Sequence, residues 1–458
     1  MHVPGARSVA PSAARSTLRR RLVAWWPYLL VVGLALFATS LQVARFKQLS
    51  PVDETRHLDY MIQMTDGHLI RQGDKIVQET MRIEACHGIA KPLRFKEPPC
   101  RSRTFRPQDF RDQGYSNVTG HPPVYYAITG FPARVMADVG ISDGILDPAR
   151  ALGGLWLAAG LVLTLRAGEL LGVRRVPLVA AAVAILAVPS FLSSHATVNP
   201  DAASVFGGGL VLLVAVLWDQ RRLSTAWLVV AGGVVASLKM TNFIAIGAVA
   251  LWFLARAGSG WWATRRHEPS EIDARRYLTG VVAVVGAGLV VTVAWIGIAS
   301  ARATVGPLTI PSNKLFYHAS FPVGVTLNNM NLFALFPPIG GFRPPAASTR
   351  GPQDLEIATQ WLAISGLLAS GLRFATRDRL SLIGAGTTAV LLVGGTAYTV
   401  LGWVFNQVVF ASVPRYGLSA IPMVIVLIAA LVRNRPATVL LSLFAALSFS
   451  VIIFSLLV

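Results

Sequence analysis

The sequence predicts an all-α polytopic membrane protein, and its composition and apolar patterning carry that prediction. Of its 458 residues, 53% are hydrophobic and 14% are charged, whereas about a quarter of the residues in a soluble protein are charged. The mean hydropathy is +0.56. Several apolar runs contain the roughly 17 to 25 residues that a helix needs to cross a bilayer.

The net charge of +19 would suggest binding to nucleic acid in a soluble protein. Here the basic residues lie between apolar segments, so membrane lipids are the expected partners and nucleic acid is not. Two cysteines exclude a disulfide-rich scaffold and a multi-cysteine metal site. Cys86 and Cys100 share one loop, and a disulfide between them is favoured over two free thiols.

Eleven membrane spans are predicted. They cover residues 22–43, 151–165, 176–194, 202–218, two passes within 225–255, 278–300, 355–372, 380–401, 417–432 and 437–457. The second span is short, and the flanking Arg150 and Arg166 are expected to extend to the lipid headgroups. Lys239 interrupts the stretch 225–255, which suits either two short passes, which could be re-entrant, or one long helix.

The positive-inside rule decides between these two arrangements. Two passes leave six basic segments on one side, residues 1–21, 166–175, 221–222, 256–276, 373–379 and 433–435. One pass would move every later basic segment to the other side. By the same argument residues 121–139 are expected to form an amphipathic helix on the outer face, because an extra span there would turn 166–175 outward.

The predicted organisation is therefore a cytoplasmic basic tail, residues 1–21, and one transmembrane domain, residues 22–458. The domain includes a long extracytoplasmic loop at 44–149, with juxtamembrane helices, and an outer loop at 301–353. The outer loop carries Lys314, Tyr317, His318 and Arg343 among many prolines and is long enough to cover a site. Polar residues collect at the outer ends of several spans, where they could form one site.

The first of these groups is Asp53, Glu54, His57 and Asp59, about ten residues beyond the first span. On a helix, Asp53 and His57 would lie one turn apart on the same face, which suits binding of a divalent metal or general-base catalysis. The alternative is a solvated helix start after Pro51, where carboxylates favour the positive end of the helix dipole.

A second group follows in GHPPVYY, where prolines hold His121 at the start of a helix. His121 could bind a metal or a hydrogen-bond acceptor, although a lone loop histidine usually does neither. For Tyr125 and Tyr126, a role as anchors in the membrane interface is favoured over contact with a substrate.

Three further groups lie later in the chain. His195, Asn199 and Asp201 occupy a short outer turn, where Asp201 could serve a site or cap the following helix. Lys239 is a recessed cation suited to a lipid phosphate. Arg415, followed by Tyr416, opens a late span from the outside and could hold a phosphate through two hydrogen bonds or lie at the headgroup level.

The order of these motifs resembles the GT-C superfamily of integral-membrane glycosyltransferases. The likeness is closest to the branch with protein O-mannosyltransferases and lipid A aminoarabinose transferases. An acidic pair follows the first span, an HPP segment closes the first loop, and an NPD turn comes two spans later. A recessed lysine and an RY motif complete the series over residues 22–430.

The resemblance implies transfer of a sugar from a polyprenyl-phosphate donor to a lipid or glycan acceptor at the outer face of a bacterial inner membrane. Asp53 would be the catalytic base or a metal ligand, with Glu54 as its neighbour and His121 at the HPP position. Lys239, Arg415 and Tyr416 would hold the donor phosphate, and His57, Asn199 and Asp201 would complete the site. A divalent metal bound by Asp53 and His121 is the cofactor to test.

Two other classes of function compete with this one. A flippase or transporter of a lipid-linked saccharide would use the same cations to hold phosphate but would form no glycosidic bond. A membrane partner without enzymatic activity would need none of Asp53, Lys239 and Arg415.

Overall fold

The computed structural model describes residues 12–90, 97–267, 272–330, 335–336, 350–409 and 414–458, without the side chains of 12–24 and 406. Within these ranges it contains seventeen α-helices and no strand longer than an isolated bridge. They are α1 (Ser12–Arg45), α2 (Glu54–Thr65), α3 (Gln78–His87), α4 (Val124–Asp138), α5 (Leu146–Leu170), α6 (Arg175–Leu186), α7 (Pro189–His195), α8 (Ser204–Asp219), α9 (Ala226–Leu238), α10 (Phe243–Arg265), α11 (Ala274–Ala301), α12 (Pro311–Leu315), α13 (Val323–Asn328), α14 (Arg350–Gly371), α15 (Arg379–Asn406), α16 (Ile421–Leu431) and α17 (Arg435–Leu457).

The predicted all-helical, multi-span architecture is confirmed. In the described part of the chain, nine helices are long and apolar enough to cross a membrane, and α6 with α7 makes a tenth candidate. The eleventh predicted pass is α9, whose 13 residues extend only about 20 Å and fall short of a bilayer. Residues 1–11 of the predicted basic tail and Arg343 of the outer loop lie outside the described residues.

The predicted span 176–194 is broken into two helices bent by 82°. Val188 adopts an extended conformation and Pro189 begins α7. The break follows from the chemistry of proline, because residues before a proline avoid helical angles and proline has no N–H for the helix ladder. A continuous span was therefore the wrong prediction here.

The stretch 225–255 forms two helices, as the charge distribution predicts. Helix α9 ends at Leu238, Lys239 is extended with φ −163° and ψ 131°, and Met240–Asn242 form a short 3-10 turn before α10. The second helix is longer than expected, with 23 residues. The break leaves Lys239 at the junction of two helix ends, buried inside the bundle.

Contacts between helix ends agree with the predicted order in which successive spans cross the membrane in alternating directions. At one end of the bundle, Arg379 Nε lies 2.5 Å from Asp219 Oδ2, and Arg174 donates to the Arg433 carbonyl oxygen at 3.0 Å. At the other end Arg415 contacts Asp53. The basic segments and the polar motifs of the sequence thus gather at opposite ends of one bundle.

Glycines allow neighbouring helices and segments of the bundle to approach one another closely. A Cβ atom on Gly160 of α5 would lie 2.6 Å from the backbone nitrogen of Phe206 in α8. A Cβ atom on Gly208 would overlap the carbonyl oxygen of Ser419, in the 3-10 segment Pro414–Ala420 that leads into α16. Small residues at such contacts let helices pack closely in membranes, and this contact brings the segment with Arg415 against α8.

The long first loop carries α2, α3 and α4, the juxtamembrane helices that were expected there. The predicted disulfide between Cys86 and Cys100 is present. The outer loop packs on this region, because Thr304 N–H donates to Gln72 O at 2.9 Å and Gln72 Nε2 donates to Val305 O at 2.7 Å. The two loops together cover one end of the bundle.

Candidate functional site

Four charged side chains from distant parts of the sequence meet at the loop-covered end of the bundle. Arg415 Nη2 lies 3.3 Å from Asp53 Oδ2, and Arg415 Nη1 lies 3.1 Å from Asp201 Oδ2. Lys239 Nζ makes an ion pair with Asp201 Oδ1. We call Asp53, Asp201, Lys239 and Arg415 the charged cluster. All four were predicted as site residues from sequence.

Asp53 is the most accessible member of the charged cluster. Its side chain is 34% exposed, whereas those of the other three are 9% exposed or less. It precedes α2 in the left-handed region with φ 61°, and its carbonyl oxygen accepts from the N–H groups of Arg56 and His57. Aspartate tolerates this conformation better than most residues do. The local geometry leaves its Oδ1 without a protein hydrogen bond among the described residues.

Asp201 follows a turn that Asn199 holds in shape. The Oδ1 atom of Asn199 accepts from the Asp201 N–H at 3.0 Å and caps the 3-10 turn Pro200–Ala203. Asn199, rather than Asp201, is therefore the capping residue, and it acts by shaping this turn. This frees the buried carboxylate of Asp201 to pair with both Lys239 and Arg415.

The two cations share one aromatic neighbour. Lys239 Nζ lies 5.0 Å from the centre of the Tyr416 ring, and the Arg415 guanidinium lies 5.7 Å from it. Cation–π contacts of this kind stabilise charge that is partly removed from water. Tyr416, predicted to bind the donor phosphate, thus presents its ring face to the cations that were predicted with it.

The histidines lie beside the charged cluster in an aromatic layer. His57 Nδ1 is 2.7 Å from the Tyr126 hydroxyl, and the rings of His57 and His121 meet edge to face at 5.2 Å. The helical spacing had suggested that His57 pairs with Asp53. The side chain of His57 pairs with Tyr126 instead. Burial, with nearby Lys239, lowers the pKa of His121 to about 3. Burial also lowers the pKa of His57.

Tyr125 and Tyr126 are buried in the protein rather than exposed in a membrane interface. Tyr126 stacks on Tyr60 with ring centres 3.9 Å apart. The prediction that both tyrosines anchor α4 in the interface is wrong, because Tyr126 packs on α2 and Tyr125 lies against Trp156 of α5.

Glu54 has no role inside the charged cluster. Its oxygens accept from Arg150 Nε and Nη2, both at 2.8 Å, and from the N–H groups of Ser50 and Val198 at 2.6 and 2.9 Å. The side chains of Glu54 and Arg150 are both fully buried. The structure thus gives Glu54 a structural contact instead of the predicted catalytic one, and Arg150 is a buried partner instead of a headgroup contact.

The residues present do not suit a divalent cation. No group of three His, Cys, Asp or Glu side chains in the described part of the chain is arranged to hold a metal ion. Asp53 and His121 were the predicted ligands, but Lys239 and Arg415 lie in the same cluster and would repel a cation. The mechanism proposed below therefore takes no step through a metal.

Of the outer-loop residues predicted to cover the site, Tyr317 and His318 contact the end of α15. The Tyr317 hydroxyl donates to Gln407 Oε1 at 3.2 Å, and His318 N–H donates to Gln407 O at 2.8 Å. Lys314 is exposed. The contact with the first loop comes instead from Thr304, Val305 and Ser312.

Comparison with protein-family models gave no match, and comparison with curated proteins gave none either. Among the solved structures that are distantly similar to this chain are two membrane proteins. One is ArnT from Cupriavidus metallidurans bound to undecaprenyl phosphate, with TM-score 0.48 and 18% identity over 89% of this chain and 60% of that one. The other is the apo oligosaccharyltransferase of Archaeoglobus fulgidus, with TM-score 0.48 and 12% identity over 94% of this chain and 56% of that one. The chain thus spans less than two thirds of either protein.

Proposed function

We propose that the protein is a membrane glycosyltransferase that moves a sugar from a polyprenyl-phosphate donor to a hydroxyl-bearing lipid or glycan acceptor. The active site would open at the outer face of a bacterial inner membrane. The single observation that carries the proposal is the continuous chain of ion pairs from Asp53 through Arg415 and Asp201 to Lys239. It joins an accessible carboxylate to two recessed cations.

Each charge has a part in the proposed transfer. The acceptor hydroxyl attacks the anomeric carbon of the donor, and its proton passes to the Asp53 carboxylate. The bond between that carbon and the phosphate oxygen breaks, and the electron pair leaves with the polyprenyl phosphate. Lys239 and Arg415 stabilise the negative charge that develops on the leaving phosphate.

The cations keep unused donors for that purpose. Arg415 Nε and the hydroxyl of Ser419 in the same 3-10 segment are buried without a hydrogen-bond partner among the described residues. Lys239 has three N–H donors, of which Asp201 takes one. Buried donors without partners are costly and favour an incoming acceptor such as a phosphate oxygen.

The test is glycosyl transfer by purified protein in liposomes that contain a panel of radiolabelled polyprenyl-phosphate sugars and an envelope lipid extract. We expect Asp53→Asn, which keeps the side-chain shape and tolerates positive φ, to lower transfer by about 10²- to 10⁴-fold. The control is Asp147→Asn, which removes an exposed carboxylate paired with Lys47 at 3.0 Å. It should leave transfer within about twofold, since exposed ion pairs contribute little.

Equal transfer by wild type and Asp53→Asn would refute the role of Asp53. Labelled lipid that moves between leaflets without a new glycosidic bond would instead establish the transporter alternative. A parallel series with EDTA tests the metal: transfer that persists in EDTA agrees with the charged cluster, and transfer abolished by EDTA and restored by a divalent ion would require ligands from elsewhere.

A further inference from the structure

Carboxylates of the charged cluster occupy the arginine that a donor phosphate would need. Arg415 Nη1 lies 3.1 Å from Asp201 Oδ2, and Arg415 Nη2 lies 3.3 Å from Asp53 Oδ2. A guanidinium has two edges that hold an anion through two N–H groups, Nη1 with Nη2 and Nε with Nη2. Both edges include Nη2. A phosphate that binds Arg415 along either edge therefore competes with Asp53 for this nitrogen.

The two carboxylates on Arg415 differ in how firmly they are held. Asp201 is 1% exposed, and its other oxygen pairs with Lys239. Displacing Asp201 would take one partner from a buried charge, which is costly. Asp53 is 34% exposed. Its one side-chain hydrogen bond among the described residues is longer than the roughly 2.7–2.9 Å of a strong charged hydrogen bond. Water would hydrate a displaced Asp53, so Asp53 is the carboxylate that gives way.

The backbone at Asp53 confines this movement to the side chain. Its carbonyl oxygen accepts from two N–H groups in the first turn of α2, at 3.0 and 3.1 Å. The neighbouring Glu54 is fully buried in its pair with Arg150. A carboxylate that leaves Arg415 therefore stays beside the charged cluster and turns toward solvent, because the backbone that carries it is held in place.

We propose that Asp53 stands on Arg415 where a phosphate oxygen of the donor binds, and that the donor displaces it. The displacement itself needs only an anionic phosphate, whereas its consequence for catalysis rests on the transferase proposed above. A carboxylate that exchanges a cationic neighbour for an anionic one binds a proton more readily. Asp53 would thus be released to take the acceptor proton only once the donor is in place, so that the donor binds first and the acceptor second.

Binding is measured first, without a sugar, so that it is independent of transfer. Full-length protein in nanodiscs is titrated with farnesyl phosphate, a short prenyl phosphate, by isothermal titration calorimetry. We expect Asp53→Asn to bind it about three- to tenfold more tightly than the wild type does, because the variant loses a competing ion pair and a repelling charge. Farnesol lacks the phosphate and should bind equally to both proteins.

A double-mutant cycle tests whether the effect acts through Arg415. In the Arg415→Gln background, Asp53→Asn should change the binding of farnesyl phosphate by less than about twofold, since the contact between the two side chains is already gone. Arg415→Lys takes the place of Arg415→Gln, with the same expectation, if the latter does not elute as a folded protein. The control is Asp147→Asn, which removes an exposed carboxylate paired with Lys47 and should bind as the wild type does.

Three results would each overturn the proposal. The first is binding of farnesyl phosphate by Asp53→Asn that is no tighter than that of the wild type. The second is a gain in affinity that persists in full in the Arg415 variant, because it would then come from the general field of the charge. The third is an equal gain for farnesol, which would assign the effect to the lipid chain.

A pulse of labelled donor then tests the order of binding. Protein that has been incubated with radiolabelled donor is diluted into excess unlabelled donor together with the envelope lipid extract. We expect label in the product of the first turnover, because the donor complex forms before the acceptor arrives. Transfer without trapped label would overturn the order. Tighter binding of farnesyl phosphate by Asp53→Asn in a protein that never transfers sugar would keep the displacement and refute the transferase.

Discussion

Asp53 and Glu54 are neighbours in the sequence and carry the same charge, yet their side chains have opposite surroundings. Glu54 is fully buried, and its two oxygens accept four hydrogen bonds, two of them from Arg150. Asp53 is one-third exposed, and Arg415 contacts one of its oxygens at 3.3 Å. A carboxylate with every acceptor site in use holds the fold together, whereas one with a free oxygen can take a proton from a substrate.

The same contrast separates the arginines that bind them. Arg150 also donates to the carbonyl oxygens of Phe46 and Gln48, so it joins the end of α1 to α5. Arg415 contacts two carboxylates and keeps Nε free. Position in the sequence predicted neither difference, and measurements of stability, donor KM and pH dependence would test the comparison.

The largest expected effect is on stability. Glu54→Gln removes the charge that balances buried Arg150, and breaking such a pair costs about 3–5 kcal/mol. We expect a large fall in the thermal unfolding temperature and in the yield of folded protein. Asp53→Asn should lower stability by less than about 1 kcal/mol, as expected for an accessible pair. Equal losses in the two variants would remove the distinction between a structural and a functional carboxylate.

The second effect extends the comparison to the cations. Lys239→Gln should raise the KM for the polyprenyl-phosphate donor by about tenfold or more, the value of a hydrogen bond to a charged group. Asp201 stays paired with Arg415 at 3.1 Å, so the folded state should survive. The control is Lys47→Gln, an exposed lysine in the first loop. Lys239→Gln could instead lose as much stability as Glu54→Gln while its folded fraction keeps the wild-type KM for the donor. That result would show that Lys239 stabilises the fold and does not bind the donor.

The smallest effect concerns His121, whose charged neighbours are Lys239, Asp201 and Arg415. Because the pKa of His121 is about 3, its imidazole stays neutral between pH 5 and 8, and the transfer rate should show no step from it. Wild type and His121→Gln should therefore have pH–rate profiles of the same shape. A step near the ordinary histidine pKa that disappears in His121→Gln would contradict this assignment.

The same pKa predicts a sign for stability. Between pH 3 and the ordinary value of 6.5, the unfolded chain binds more protons at His121 than the folded protein does. The free energy of unfolding should therefore rise as pH rises through this window. The stability that neutral His121 contributes should be lost progressively as pH falls through it. His121→Gln should reduce that slope.

Much of the fold could be predicted because bilayer thickness and the positive-inside rule act on the sequence directly. The break at Lys239 was found from charge alone, since a single long helix would invert the later basic segments. The bend at Pro189 and the early start of α5 at Leu146 were not found. Hydropathy contains no information about backbone geometry, so it did not reveal the bend at Pro189. It also cannot show that the Glu54 carboxylate neutralises the Arg150 guanidinium.

The sequence indicated which residues of the charged cluster would meet, but it did not indicate how their side chains would pair. Asp201, Lys239 and Arg415 were found because charge at the end of an apolar span is costly and therefore informative. Asp53 was found from its acidic group after the first span and its helical spacing to His57. The burial of Arg56 and Glu84 in the first loop was missed, because a long loop has no hydropathy period to indicate which of its polar residues become buried. The roles of Glu54, Asn199 and Tyr126 depend on partners that lie far away in the sequence.

The ion pair between Arg415 and Asp53 joins residues 362 positions apart. During synthesis Asp53 leaves the ribosome early, whereas the guanidinium that orients it arrives only when most of the later helices have been made. Until then the carboxylate can reach solvent without a partner, and Asp201 has Lys239 as its one cation in the charged cluster. Under the proposed function, transfer of a sugar would therefore begin only after Arg415 has been inserted.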